Sequence, residues 1–215
     1  TGVQTCPLPI LRYGTSWDEG VAGKHVSRQI PRHRLLDPKF REGFAELSKL
    51  GLTFDSWHFH PQLPDLVDLA RAFPQQTIIV DHVGGVLGVG QYAGKKAEIM
   101  PIWKKSLREL AACPNVNIKL GGLGMTSFGF GFEFRDVPPS SQELADTWRP
   151  YIEPCIEAFG VGRCMFESNF PPDKQSCGYT ELWNAFKIVT EKASAAEKTA
   201  LYSGTAARVY RLQPA

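Results

Sequence analysis

Five short stretches end an apolar run in side chains that suit chemistry better than a core. They are Arg12 with Tyr13, His58 with His60, Asp81 with His82, Lys119, and Glu167 with Asn169. The last is the sharpest case: Cys164, Met165 and Phe166 give way at once to Glu167, Ser168 and Asn169. A strand buried on both faces reads as a continuous apolar run, and its polar end then faces whatever lies beyond the sheet. In parallel α/β folds that place is where ligands bind. Any one of these residues alone has a structural explanation, and a buried histidine such as His82 usually does. Five such strand ends in one chain point to a shared pocket.

The types present limit the chemistry. Glu167 and His82 are groups able to take a proton from water, whereas the amide of Asn169 is not. Arg12 and Lys119 are the cations available to a substrate carboxylate or a developing oxyanion. Glu167 beside Lys119 is expected to stay ionised; the competing reading is a structural ion pair between Glu167 and an arginine. His58-x-His60 has imidazoles two residues apart, which on a strand share a face and reach one ion. The same pair precedes Pro61-Gln-Leu-Pro-Asp65, so one ring hydrogen-bonding that loop is the plainer alternative. No aspartate ends the 163–169 stretch to complete a metal site, and no metal ligand is assigned. The glycine-rich run 84–96 fits neither Gly-x-Gly-x-x-Gly nor the Walker spacing, so it is read as a mobile loop over a pocket. The run 121–134 has the same lid-like character.

Elements that position these residues follow from the patterning. A short strand is expected at 10–13 and a long loop at 18–36. Asp37 is an N-cap with Pro38 at the first helical position, and Gly51 is the stop. Phe40, Phe44 and Leu47 form the buried stripe of that helix. Strands are expected at 52–59, 76–82, 115–122 and 163–169. Helices are expected at about 64–73, 97–113, from 140 towards Phe159, and twice more near the C-terminus. Ser140 with Glu143 and Ser194 with Glu197 fit the capping-box spacing. Strands alternating with helices imply right-handed crossovers and a parallel sheet.

Composition narrows the class. The chain of 215 residues is 43% apolar and 21% charged, with a formal net charge of +2 and no basic block, so nucleic acid is not an expected partner. No apolar run approaches the roughly 18 residues that span a bilayer, and a cytoplasmic location is expected. Five scattered cysteines without a Cys-x-x-Cys are expected to be reduced and buried.

The segments Thr77–Gly85, Asn115–Met125, Arg163–Lys174 and Glu197–Leu212 resemble, in order, those of the amidohydrolase-related TIM-barrel hydrolases. The branch most alike contains pyrone-dicarboxylate hydrolase and sugar-acid lactonases. The resemblance runs from Arg12 onward. It implies a (β/α)₈ barrel, and residues 1–215 as one domain carrying its last five β/α units, with the first three strands absent. It implies hydrolysis of a lactone, ester or amide-like bond in a small substrate, and allows a divalent metal such as zinc as cofactor. It places His82 at the end of the sixth barrel strand, His58 and His60 in the fifth, Lys119 in the seventh and Arg12 in the fourth. The family's aspartate at the end of the eighth strand is here Asn169, and the family's His-x-His of the first strand has no counterpart before His58.

The site expected from these residues has His82, Glu167 and Asn169 as the catalytic group, with Asn169 orienting water or substrate. Arg12, His58, His60 and Lys119 contact the substrate. Two other readings stand beside hydrolysis: a non-catalytic truncated relative that binds a ligand or partner, and a metal-dependent decarboxylase. Open sheet edges would favour homo-oligomers.

Overall fold

A computed structural model describes residues 10–20 and 30–212. Cys6, most of the expected irregular N-terminal stretch and the middle of the 18–36 loop lie outside them. Five parallel strands form one sheet in chain order: β1 (Ile10–Gly14), β2 (Thr53–Trp57), β3 (Ile78–Val80), β4 (Val116–Leu120) and β5 (Cys164–Phe166). This is the wall of a (β/α)₈-type barrel over five consecutive β/α units. Among the described residues neither β1 nor β5 has a second strand neighbour.

Between the strands run α1 (Pro38–Lys49), α2 (Leu63–Ala72), α3 (Lys96–Ala111) and α4 (Ser141–Phe159), and α5 (Tyr179–Val189) follows β5. The last helical segment is α6 (Ala195–Thr199), a π turn over Ala200–Gly204, and α7 (Thr205–Tyr210). The Asp37 carboxylate caps α1 by accepting from the Phe40 N–H at 2.7 Å, as its position predicts. Ser194 and Glu197 form the reciprocal box expected of them. The Ser140 box forms only by half: Ser140 accepts from the Glu143 N–H, but the Glu143 carboxylate turns to Arg135 at 2.5 Å.

Residues of each strand alternate between two faces. Phe54, Ile78, Val80, Val116, Ile118, Leu120, Cys164 and Phe166 face the helices and belong to the main core, with Trp103, Trp148 and Phe186. Ile79 and Met165 face the other way and are met by Val209 and Tyr210 of α7. On that inner face, Arg12 pairs in register with Asp55, Ile79 with Asn117, and Lys119 with Met165. The inner face is therefore apolar only in patches, with Arg12 and Asp55 midway along their strands and Lys119 towards the end of β4. No helix among the described residues is long and apolar enough to cross a membrane. Cys113, Cys155, Cys164 and Cys177 are buried free thiols.

Strands end sooner than expected because the chain turns where the polar residues begin. β3 stops at Val80 and β5 at Phe166, and His82 and Asn169 take left-handed backbone conformations with φ of 54° and 49°. β2 stops at Trp57, so His58 and His60 do not lie on a strand, and His60 opens a 3₁₀ turn. The two glycine-rich runs are packed rather than lid-like. Val86, Leu87, Phe128 and Phe132 are buried, and the Gly88 N–H donates to the Ser127 carbonyl at 2.9 Å, tying one run to the other.

Candidate active site

Lys119 is the hub of the inner face. Its Nζ lies 2.5 Å from Asp55 Oδ2, 2.9 Å from Asp81 Oδ1 and 3.9 Å from Glu167 Oε2. Burial alone would drive the ammonium towards neutrality, but Asp81, Glu167 and Asp55 outweigh it and raise its pKa far above the ordinary lysine value. Burial raises the Asp55 carboxyl, against the pull of Lys119. The Tyr210 hydroxyl hydrogen-bonds both Asp55 oxygens, at 3.1 and 3.0 Å, and closes this cluster from the α7 side. Asp81 is fully buried; its oxygens face Lys119 and, at 3.3 Å, Arg12 Nε, as charge contacts without hydrogen-bond alignment.

One layer further along, His82 Nδ1 is 2.5 Å from Glu167 Oε1, and the His82 backbone N–H also points to that oxygen. On the other side of the ring, Arg12 Nη2 is 2.9 Å from His82 Nε2. A guanidinium can only donate, so Nε2 is an acceptor here and the imidazole proton sits on Nδ1, donated to Glu167. Burial opposes a second proton on His82, but the Glu167 carboxylate, aided by Asp81, outweighs burial and raises the pKa above 6.5. Burial likewise opposes ionisation of Glu167, and His82, Lys119 and Arg12 reverse this and lower its pKa. Arg12 is the accessible member, its side chain 51% exposed against 2% for His82. The Trp57 ring stands edge-on to the imidazole, centroids 4.8 Å apart.

This packing requires a bare backbone at Gly122. A Cβ there would lie 2.5 Å from the His82 ring, and φ at Gly122 is +68°. The Gly-Gly at 121–122 thus ends β4 in a way that lets His82 and Glu167 close over it.

The expected residues fall into three groups. Arg12, His82, Glu167 and Lys119 come together. Asn169 is half-buried and engaged by a neighbour: its Nδ2 donates to Asp173 Oδ1 at 2.7 Å, and Asp173 Oδ2 accepts from the Gly124 N–H at 3.1 Å. Burial pushes the Asp173 carboxyl up to about 7, against the help of those two donors. His58 and His60 do not converge on one ion or share a strand face. His58 is fully buried, with Nδ1 3.1 Å from Ser56 Oγ, and burial holds its pKa down to about 3. His60 Nδ1 accepts from the Leu87 N–H at 3.1 Å and its ring packs edge-on to Tyr92, with burial lowering its pKa to about 4. It anchors the 84–96 loop, not the Pro61–Asp65 loop that the spacing suggested, because the chain brings Leu87 back against it.

Asp55, Asp173 and Tyr210 have no place in the site as read from sequence. Asp55 carried a usable signal, an acid in the middle of the apolar strand Thr53–Trp57. Asp173 resembles a surface acid after two prolines, and Tyr210 lies 155 residues from its partner Asp55, so local patterning gives neither.

The same donors decide whether a metal fits here. The three carboxylates that converge do so on an ammonium, and among the described residues no group of three or more His, Cys, Asp or Glu side chains could hold an ion. The donor set does not fit a divalent cation.

The family model described as Amidohydrolase matches residues 17–212. The chain belongs to the amidohydrolase family. This family member is 38% identical over 176 residues to protein y4mH of Sinorhizobium fredii, a match covering 81% of this chain and 52% of the relative. It is 31% identical over 178 residues to an L-fucono-1,5-lactonase of Burkholderia multivorans, covering 82% and 57% respectively. The chain thus spans little more than half the length of these curated relatives. An amidohydrolase of B. multivorans, solved once with HEPES and once with zinc bound, superposes with TM-scores of 0.75 and 0.74 at 27% identity. In both cases the match covers 94% of this chain and 64% of that one.

Proposed function

We propose that this amidohydrolase-family chain hydrolyses a small cyclic ester carrying a carboxylate or hydroxyl substituents, with the His82–Glu167 pair as general base. The observation that carries this reading is a histidine whose Nδ1–H is held by a buried carboxylate and whose Nε2 lone pair faces the accessible Arg12. A base oriented by a second group in this way is a recurrent catalytic arrangement. The lactonase among its relatives supports a cyclic ester as the substrate class.

In the proposed reaction Arg12 swings to the substrate anion and leaves Nε2 to a water molecule. His82 takes a proton from that water, and Glu167 stabilises the imidazolium through Nδ1–H. The water oxygen forms a bond to the lactone carbonyl carbon, and charge on the carbonyl oxygen is met by Arg12. Collapse breaks the ring C–O bond, and His82 returns its proton to the leaving alkoxide, giving the open hydroxy acid. Lys119 keeps Glu167 ionised and ties it to Asp55 and Asp81. Asn169 also acts through Asp173, fixing the backbone after Glu167. No step is routed through a metal, since the donors present are turned on Lys119.

A panel of sugar-acid and dicarboxylate lactones tests the reading with wild type, Glu167→Gln and His82→Ala. The expected result is turnover of at least one lactone, with His82→Ala slower by about 10²-fold or more. Equal rates in all three proteins would sink the assignment.

A further inference from the structure

At the opposite end of the sheet from His82, a cavity of about 410 Å³ opens beneath α7, against the residues that enter β2, β3, β4 and β5. Its volume is in the range of small-ligand sites. Three guanidiniums line it, those of Arg163, Arg208 and Arg211, and no aspartate or glutamate among the described residues does. None of the three arginines takes part in any ion pair of the described residues.

Arg163 is held rigidly, its Nε, Nη1 and Nη2 donating to the carbonyls of Phe159, Cys113, Val116 and Ala111. Among the described residues Arg208 and Arg211 are engaged through Nη2 alone, Arg208 with Asn117 Oδ1 and the Gly162 carbonyl, Arg211 with the Gly51 carbonyl. Within those residues their Nε and Nη1 groups remain as donors. The amide oxygens of Gln76 and Asn115, residues that also line the cavity, are buried and have no partner among the described residues. Three like charges gathered at one cavity repel one another, and among the described residues no anion at the site offsets them.

We propose that this cavity binds a compact oxyanion with at least two negative oxygens, of the phosphate or dicarboxylate type, through the forked donors of Arg208 and Arg211. Arg163 adds fixed positive charge behind them. Bidentate guanidinium contacts suit such oxygens in geometry as well as charge. The site is separate from the candidate active site and does not depend on its chemistry.

Titration of the 215-residue chain with inorganic phosphate and with malonate, followed by calorimetry and thermal shift, tests the proposal. Phosphate and malonate are separate arms, and chloride at matched ionic strength is the control. Saturable binding of at least one of the two is expected, weakened about tenfold for each of Arg208→Gln and Arg211→Gln, and unchanged in Arg12→Gln. Asn117→Asp, which gives Arg208 a carboxylate, is expected to abolish binding and provides a second reading should a glutamine variant fail to fold. No saturable binding of either anion, a response reproduced by chloride, or a response lost in Arg12→Gln but kept in the cavity variants would each overturn it.

Discussion

Replacing Asp173 by asparagine should remove one part of the chain's pH dependence. Asp173 is fully buried, and its carboxyl is pushed from 3.8 up to about 7, chiefly by burial and despite the donors Asn169 and Gly124. The folded chain therefore holds that proton more tightly than the unfolded chain does. The associated stability is fully present below about pH 3.8 and is lost as pH rises towards 7. At about 1.36 kcal/mol per pH unit, the whole loss is about 4 kcal/mol. Roughly 2.5 kcal/mol of it falls between pH 5 and pH 8. In Asp173→Asn the new amide oxygen still accepts from the Gly124 N–H. Asn169 needs only a flip of its own amide to accept from the new NH₂, so the local geometry is preserved. Urea unfolding of both proteins at pH 5, 6, 7 and 8 gives a stability difference from which all shared titrations cancel. That difference should move by roughly 2.5 kcal/mol in favour of the variant as pH rises. A difference constant to within about 0.5 kcal/mol would refute the placement of a protonated carboxyl at this position.

Lys119→Met leaves Asp55, Asp81 and Glu167 buried without their shared cation, and it should cost about 3–5 kcal/mol at pH 7 by chemical unfolding, an unchanged midpoint contradicting the shared pairing. Gly122→Ala places a methyl 2.5 Å from the His82 ring at a positive φ, so a loss of about 1–3 kcal/mol is expected, and an unchanged melting midpoint would contradict the packing. Burial lowers His58 and His60 to about 3 and about 4, so their contribution to stability is present above pH 6.5 and declines as pH falls below it. NMR titration should show neither ring protonating above pH 5 in the folded chain, and a midpoint near 6.5 for either would show that it is not buried as described.

Much of the architecture was legible in the residues. The apolar runs located all five strands, and period-2 alternation through Asp81, Asn117, Lys119 and Glu167 is what puts these side chains on one face. Capping chemistry placed the starts of α1 and α6, where Asp37 and Ser194 do what their positions predict. Ser140 shows the limit: the spacing was right, but Arg135 competes for the Glu143 carboxylate, and no local pattern reports a competitor.

The sequence by itself determined the parallel β/α order, the family, and the polar residues that gather at the strand ends, because these depend on neighbours within a few positions. Tertiary structure alone decided what each polar residue faces. His82 and Glu167 are 85 residues apart and meet at 2.5 Å, Lys119 reaches back 64 residues to Asp55, and Tyr210 closes the cluster from the far end of the chain. It also gave His60 and Asn169 partners, Leu87 and Asp173, that spacing on a strand could not reveal. Charge and hydrogen-bond geometry act over a few ångströms of space, whereas periodicity records only distance along the chain.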